Sequence, residues 1–235
     1  MINKEIITDL FFDLDHTLWD FERNSALTFK QLLIDYKIPV SLEDFLKVYV
    51  PLNLEYWKAF REQRIGKDTL RYRRIKDTFD KLKIPIDDDM VYTLADSYIQ
   101  NLPEHNHLFP GGIQVLEKLK KQYSLHIITN GFREVQQFKM INSGLSSYFI
   151  TVTDSESVGV KKPNSLIFEK ALCDANCDAP HAVMIGDSHE ADILGAIQVG
   201  MQAIHFAAAG EPTHKDCLMI DDLHQLSDIL LINSK

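Results

Sequence analysis

Ile6-Ile7-Thr8-Asp9-Leu10-Phe11-Phe12-Asp13-Leu14-Asp15-His16-Thr17 is the stretch on which the fold turns. The apolar run from Ile6 to Phe12 predicts a buried strand, and it ends on two carboxylates spaced two residues apart. In extended backbone, residues i and i+2 point to the same side, so Asp13 and Asp15 share a face. Ionised together, they repel by about 4 kcal/mol at about 4 Å and an effective dielectric near 20. A hard divalent cation removes that repulsion, and carboxylate oxygens are the ligands Mg²⁺ prefers. A turn is the competing reading, because Asp after a strand commonly bonds nearby backbone amides. The rest of the chain decides between them.

Working outward, the pattern after Thr17 becomes helical for a long stretch. Ala26, Leu27, Leu32, Leu33 and Tyr36 recur at helical spacing before Pro39. Ser41 caps a second helix, which Pro51 is expected to kink or restart and which ends by Gly66. A third helix is expected over 67–82 and a fourth over 87–101. From Pro110-Gly111-Gly112 onward, helices alternate with short apolar strands: Ser124 to Thr129, Tyr148 to Val152, Ala182 to Gly186 and Met201 to Phe206. That alternation predicts an α/β fold with a doubly wound, Rossmann-like parallel sheet. The first strand belongs to the sheet, yet an all-helical stretch separates it from the next. Residues 1–18 and 105–235 are therefore expected to form the α/β core, with 19–104 an inserted helical domain.

Bulk properties exclude several classes. The chain has 235 residues, of which 45% are hydrophobic and 25% charged, so it can bury a core. A net charge of −9 argues against a polymeric nucleic-acid partner. No run of about 18 apolar residues exists to span a membrane. The stretch ahead of the first strand is not expected to be a signal peptide. Cys173, Cys177 and Cys217 make no disulfide framework, and a cytoplasmic protein is the expectation. Monomer and homodimer are both open.

In open α/β sheets, ligands bind at the carboxyl ends of the strands. There the first strand offers Asp13, Asp15 and Thr17, the second Thr129 and Asn130, and the fourth Asp187 with Asp192 five residues on. Lys161 and Lys162 precede Pro163 before another helix. Carboxylates, a hydroxyl and a lysine form the mixture that phosphoryl transfer needs. One carboxylate attacks phosphorus, another moves the leaving-group proton, and cations stabilise the spreading charge.

The ordered segments DLDHT (13–17), IITN (127–130), GVKKP (159–163) and GDSHEAD (186–192) resemble the four motifs of the haloacid dehalogenase-like (HAD) hydrolase superfamily. The resemblance covers essentially the whole chain, and the helical insert resembles a C1-type cap. It implies Asp13 as nucleophile and Asp15 as general acid/base. Thr129 would hydrogen-bond the phosphoryl group, and Lys162 would neutralise nucleophile and phosphate. Mg²⁺ would be held by Asp13, Asp187 and the main-chain carbonyl of Asp15, with Thr17 and Asp192 supporting those ligands less directly. Haloacid dehalogenases and phosphonatases lack an Asp at the position of Asp15, which favours a phosphatase here. Thr129-Asn130-Gly131-Phe132 with Glu134 and Gln136-Gln137, Val158 to Pro163 and Asp192 to Ala196 are similar to the YjjG/YfnB-like group of pyrimidine 5′-nucleotidases.

The expected activity is hydrolysis of a small phosphorylated metabolite, with nucleoside 5′-monophosphates favoured. A sugar-phosphate phosphatase, a phosphoglucomutase-type transferase and a non-catalytic phospho-receiver are the alternatives. Asn130 and Trp19 are further substrate-binding candidates, Trp19 with packing at a hinge as its competing role. Lys67, Arg71, Arg73, Arg74 and Lys76 are expected to form a solvated basic face. His189, beside the metal motif, is expected at most to support it.

Overall fold

A computed structural model describes residues 2–208 and 210–231. The chain divides into two compact units, Met1–Phe21 with Asn106–Lys235, and Glu22–His105.

The first unit is built on a six-stranded, all-parallel sheet of order β3-β2-β1-β4-β5-β6 among the described residues. Its strands are β1 (Asp9–Phe12), β2 (Ser124–Thr129), β3 (Thr151–Asp154), β4 (Ala182–Gly186), β5 (Gln202–Phe206) and β6 (Leu218–Ile220). Central parallel strands are covered on both faces, which is why β1 and β4 are apolar and buried at nearly every position. The chain winds outward from β1 through β2 to β3, returns to β4 beside β1, and continues through β5 to β6. The direction of winding therefore reverses at the β1–β4 pair, where ligand crevices form in such sheets. Phe11, Ile128, Ile167, Phe168, Ala171 and Met184 build a core cluster against one face.

Three details differ from the sequence reading. β1 begins at Asp9 rather than Ile6, because Ile6 N–H closes a turn onto Asn3 and Ile6 is exposed. β3 begins at Thr151 rather than Tyr148, since Tyr148 N–H bonds back to Leu145 and pairing starts only where Ile150 N–H meets Leu125. β6 was not anticipated. It is a three-residue edge strand, half exposed, and too short to show a period.

The second unit contains α1 (Phe21–Asp35, from its second residue), α2 (Leu42–Arg61), α3 (Lys67–Leu82) and α4 (Asp88–Asn101). Ser41 and Asp87 cap α2 and α4 by accepting from Asp44 N and Met90 N. Phe29, Phe45, Tyr49, Phe79 and Tyr98 form its aromatic centre, with ring centroids as close as 4.4 Å. α2 passes through Pro51 without ending. The backbone bond that proline forfeits is offset by burial of Phe45, Tyr49, Leu52 and Phe60. The expectation of a wholly solvated basic face is corrected at Arg74, which is only 2% exposed. Arg74 lies on the Leu70–Thr78 stripe of α3, donates to Asn53 Oδ1 at 3.1 Å and stacks over the Tyr98 ring. Arg71, Arg73 and Lys76 do face outward, paired with Asp96, Asp77 and Asp80.

The remaining helices, all in the first unit, are α5 (Gly112–Leu119), α6 (Arg133–Asn142), α7 (Ser155–Val158), α8 (Ser165–Ala175), α9 (Gly195–Gln198) and α10 (Gln225–Leu230). A π-helical turn, His189–Leu194, leads into α9. No helix among the described residues is long and apolar enough to cross a membrane.

Candidate active site

The backbone of Asp13 continues the β1 ladder, its N–H donating to Ile185 O of β4 at 2.9 Å. The Asp13 carboxylate is thereby fixed at the carboxyl edge of the sheet, between the strands where the winding reverses. Only 7% of the residue is exposed. Lys162, 2% exposed, places Nζ 2.5 Å from Asp13 Oδ1 and 2.7 Å from Asp192 Oδ1, and donates to Ile128 O at 2.6 Å. Asn130, just beyond β2, fixes the backbone of that lysine. Its Oδ1 accepts from Lys162 N at 2.8 Å and its Nδ2 donates to Lys162 O at 3.1 Å.

The carboxylates of Asp13, Asp187 and Asp192 lie within 4.8 Å of one another. Thr17 donates its hydroxyl to Asp187 Oδ1 at 3.3 Å, and Ser188 N–H donates to Asp192 Oδ2 at 3.0 Å. Asp192, expected to support the ligands less directly, has its carboxylate within this cluster. Gly186 makes this possible, because a Cβ there would sit 2.3 Å from Asp192 Oδ2 and 2.7 Å from its Cβ. Three carboxylates against one lysine leave a buried excess of negative charge. Burial is the largest cause raising the Asp13 carboxyl well above the usual range, and Asp192 and Asp187 add to it against the opposing pull of Lys162. Burial and Asp192 likewise push Asp187 up to about 8. Asp192 Oδ1 is buried, with the Lys162 ammonium as its ion-pair partner at 2.7 Å. A buried, all-oxygen donor set with surplus negative charge fits a hard divalent cation.

Asp15 sits in a different network. Lys139 Nζ donates to Asp15 Oδ1 at 2.6 Å and Gln136 Nε2 to Oδ2 at 2.9 Å. Gln136 Nε2 also donates to Thr129 Oγ1 at 2.7 Å, which accepts from Gly131 N as well. With two donors already on its oxygen, the hydroxyl proton is what Thr129 has left to offer. Gly131 is needed for this arrangement, since a Cβ would lie 2.4 Å from the Gln136 amide. His16, between the two motif residues Asp15 and Thr17, adopts the left-handed conformation with φ of 63° and bonds back to Trp19 O. Trp19, considered for substrate contact, is fully buried, and its ring lies under Lys139 Nζ at 4.3 Å.

Lys139 was missed in the sequence, and Gln136 stood only among the residues of the family likeness, with no site role. Both lie on the buried stripe of α6 with Val135 and Met140, and a lysine at helical spacing carries no mark that its ammonium is 2% exposed rather than solvated. A cavity of about 270 Å³ lined by Arg133, Gln136, Met140, Val152 and Asp154 opens between α6 and β3. None of Asp13, Lys162 or Asp187 lines it, so the acidic cluster and this cavity are separate features.

Comparison with known proteins agrees with this architecture. Residues 10–206 match the family described as haloacid dehalogenase-like hydrolase. The pyrimidine 5′-nucleotidase YjjG of Escherichia coli is 33% identical over 193 residues, covering 82% of each chain. The pyrimidine 5′-nucleotidase PynA of Streptococcus pneumoniae is 30% identical over 94% of this chain and 92% of its own. A glyceraldehyde 3-phosphate phosphatase of Methanothermobacter thermautotrophicus is 32% identical over 94% of this chain and 98% of its own. Among solved structures, magnesium-bound YfnB of Bacillus subtilis superposes with a TM-score of 0.87 at 28% identity, covering 95% of this chain and 98% of that one. With the sheet order, the strand-end carboxylates and these matches in hand, the chain belongs to the haloacid dehalogenase-like hydrolases.

Proposed function

We propose that this hydrolase is a Mg²⁺-dependent phosphomonoesterase that cleaves a nucleoside 5′-monophosphate through an aspartyl-phosphate on Asp13. The observation that carries the reading is the division of labour between two carboxylates two residues apart. Asp13 is clamped by Lys162 inside the acidic cluster, whereas Asp15 faces Lys139 and Gln136. A nucleophile and a proton carrier need this separation.

Asp13 attacks phosphorus with the oxygen that Lys162 does not hold. The phosphorus–oxygen bond to the alcohol breaks, and Asp15 delivers a proton to the departing oxygen. Thr129 donates its hydroxyl to a phosphoryl oxygen, and Lys162 offsets charge on Asp13 and the phosphoryl group. Asp15, now a carboxylate, takes a proton from water. The water attacks phosphorus, releasing inorganic phosphate and regenerating Asp13. Asp13, Asp187 and Asp192, with the main-chain carbonyl of Asp15, would hold Mg²⁺, which when bound supplies positive charge to the carboxylates and phosphoryl oxygens. The helical unit, Glu22–His105, is the proposed cap that selects the leaving group.

Hydrolysis of p-nitrophenyl phosphate by wild type and Asp13→Asn, with and without Mg²⁺, tests the chemistry. Equal rates in the two proteins would reject the nucleophile. A second reading, a sugar- or triose-phosphate phosphatase, is favoured by the similarity to the glyceraldehyde 3-phosphate phosphatase, which matches that of the nucleotidases in identity. Comparing kcat/KM for uridine and thymidine monophosphates against glyceraldehyde 3-phosphate and hexose phosphates separates the two.

A further inference from the structure

Outside the acidic cluster, three imidazoles and a carboxylate gather on β5 and on the segments that follow β4 and β5. His189 Nε2 lies 2.8 Å and His214 Nδ1 3.4 Å from the same oxygen, Asp216 Oδ2. The rings of His189 and His214 stack at 3.9 Å. On its other side, His214 Nε2 is 2.8 Å from His205 Nδ1, and His205 Nε2 is 2.7 Å from the main-chain oxygen of Asp187.

This chain of contacts fixes where the protons sit. A carbonyl oxygen can only accept, so His205 carries its proton on Nε2. Neutral His205 then accepts at Nδ1, and His214 donates from Nε2. The Nδ1 lone pair of neutral His214 accepts from Asp216 N–H at 3.3 Å and also faces the Asp216 carboxylate at 3.4 Å. A lone pair opposite a carboxylate oxygen is a repulsive pairing that a cation relieves.

We propose that His189, His214 and Asp216 form a binding site for a borderline divalent transition metal of the Zn²⁺ type, distinct from the acidic cluster. Two imidazole nitrogens and one carboxylate oxygen suit Zn²⁺ better than Mg²⁺. Bonds of about 2.0–2.1 Å in a tetrahedral site put ligand atoms about 3.3 Å apart. The 3.4 Å separation matches that spacing, and the 2.8 Å one must open by about half an ångström. The side chains of His189 and Asp216, 38% and 47% exposed, have room for this, and water completes the coordination. His205 is the positioning residue, because its bond to His214 Nε2–H keeps the Nδ1 lone pair facing the metal.

The test is Zn²⁺ titration of the full chain by calorimetry, with the acidic cluster saturated by millimolar Mg²⁺, and metal counting after dialysis. Wild type is expected to retain one equivalent of Zn²⁺, and X-ray absorption to show nitrogen ligation. His214→Ala and Asp216→Ala are expected to lose it. His205→Gln keeps every ligand and is expected to weaken binding by about 10–100-fold. Asp187→Asn, which damages only the acidic cluster, is expected to leave the Zn²⁺ equivalent in place. Should His214→Ala fail to fold by circular dichroism, His189→Ala, at a more exposed position, gives the same readout. Unchanged stoichiometry in the histidine and Asp216 variants, or loss of Zn²⁺ in Asp187→Asn, overturns the proposal.

Discussion

Two lysines of the same chemistry do different things here. Lys162 is reached by carboxylates on two sides, Asp13 and Asp192. Lys139 meets Asp15 and lies over the Trp19 and Phe21 rings at 4.3 and 5.2 Å. Replacing Asp13 by Asn removes the proposed nucleophile, and kcat for p-nitrophenyl phosphate is expected to fall at least about 10³-fold. Lys139→Met keeps the apolar stem but removes one of the two donors that aim Asp15. A fall in kcat of about 10²-fold is expected, the lower end of what positioned proton transfer contributes. Steady-state kinetics on protein with an unchanged circular-dichroism spectrum checks both. Undiminished kcat in Lys139→Met would leave Asp15 aimed by something else. Asp13, Asp15, Thr129 and Asp187 were legible in the sequence because each lies within a few positions of a strand end, and Lys162 because it precedes Pro163 in a motif of fixed order. The contacts of Lys139 and Gln136 with Asp15 were not, because only tertiary packing turns the inner stripe of α6 toward Asp15.

At the level of elements, one imidazole ties three strands together. His126 of β2 bonds Asp9 of β1 through Nε2 at 2.9 Å and Thr151 of β3 through Nδ1 at 2.8 Å, and its ring stacks on Phe11 at 4.7 Å. Burial is the main cause lowering its pKa below 6.5, against the raising effect of Asp9. The folded state therefore binds a proton at His126 more weakly than the unfolded state does. The stability this residue contributes is complete above about pH 6.5 and is lost as pH falls from there through its lower folded value. His126→Ala leaves Asp9 and Thr151 without their ring partner and opens a void, at an expected cost of about 2–4 kcal/mol. Urea unfolding of the two proteins at about pH 8 and pH 5 checks this, and the gap between them should narrow at the lower pH. Strands such as β2 and β4 were readable because buried parallel strands are continuous apolar runs. β6 and the true start of β3 were not, since their limits are set by which backbone groups find partners. Pro51 and Arg74 show the same thing in helices. A local rule predicts a break or a solvated charge, and burial of the surrounding apolar stripe overrides it.

For the molecule as a whole, the acidic cluster makes stability depend on pH and metal together. The Asp187 carboxyl, raised to about 8 from an ordinary 3.8, binds its proton more tightly in the folded than in the unfolded chain, and Asp13 is raised in the same sense. A raised carboxyl contributes stability that is complete below its unfolded pKa and lost as pH climbs through its folded one. Metal-free protein is therefore expected to weaken between about pH 4 and pH 8, where the cluster must surrender protons without compensation. Mg²⁺ replaces those protons with fixed positive charge, so its stabilising effect should grow over the same interval. At a hundredfold excess over Kd, a ligand specific for the folded state contributes about 2.7 kcal/mol. For a chain of this size that is roughly 5–10 °C in Tm, read on the transition of the sheet-containing unit. Differential scanning calorimetry across this range, with and without Mg²⁺, is the measurement. The Mg²⁺-induced gain in Tm should be small near pH 5 and largest near pH 8. Asp187→Asn should flatten it by deleting a ligand and a charge at once, while making the metal-free protein less sensitive to alkaline pH. A gain in Tm that is equal at both ends of the range would mean that Mg²⁺ acts somewhere other than these three carboxylates.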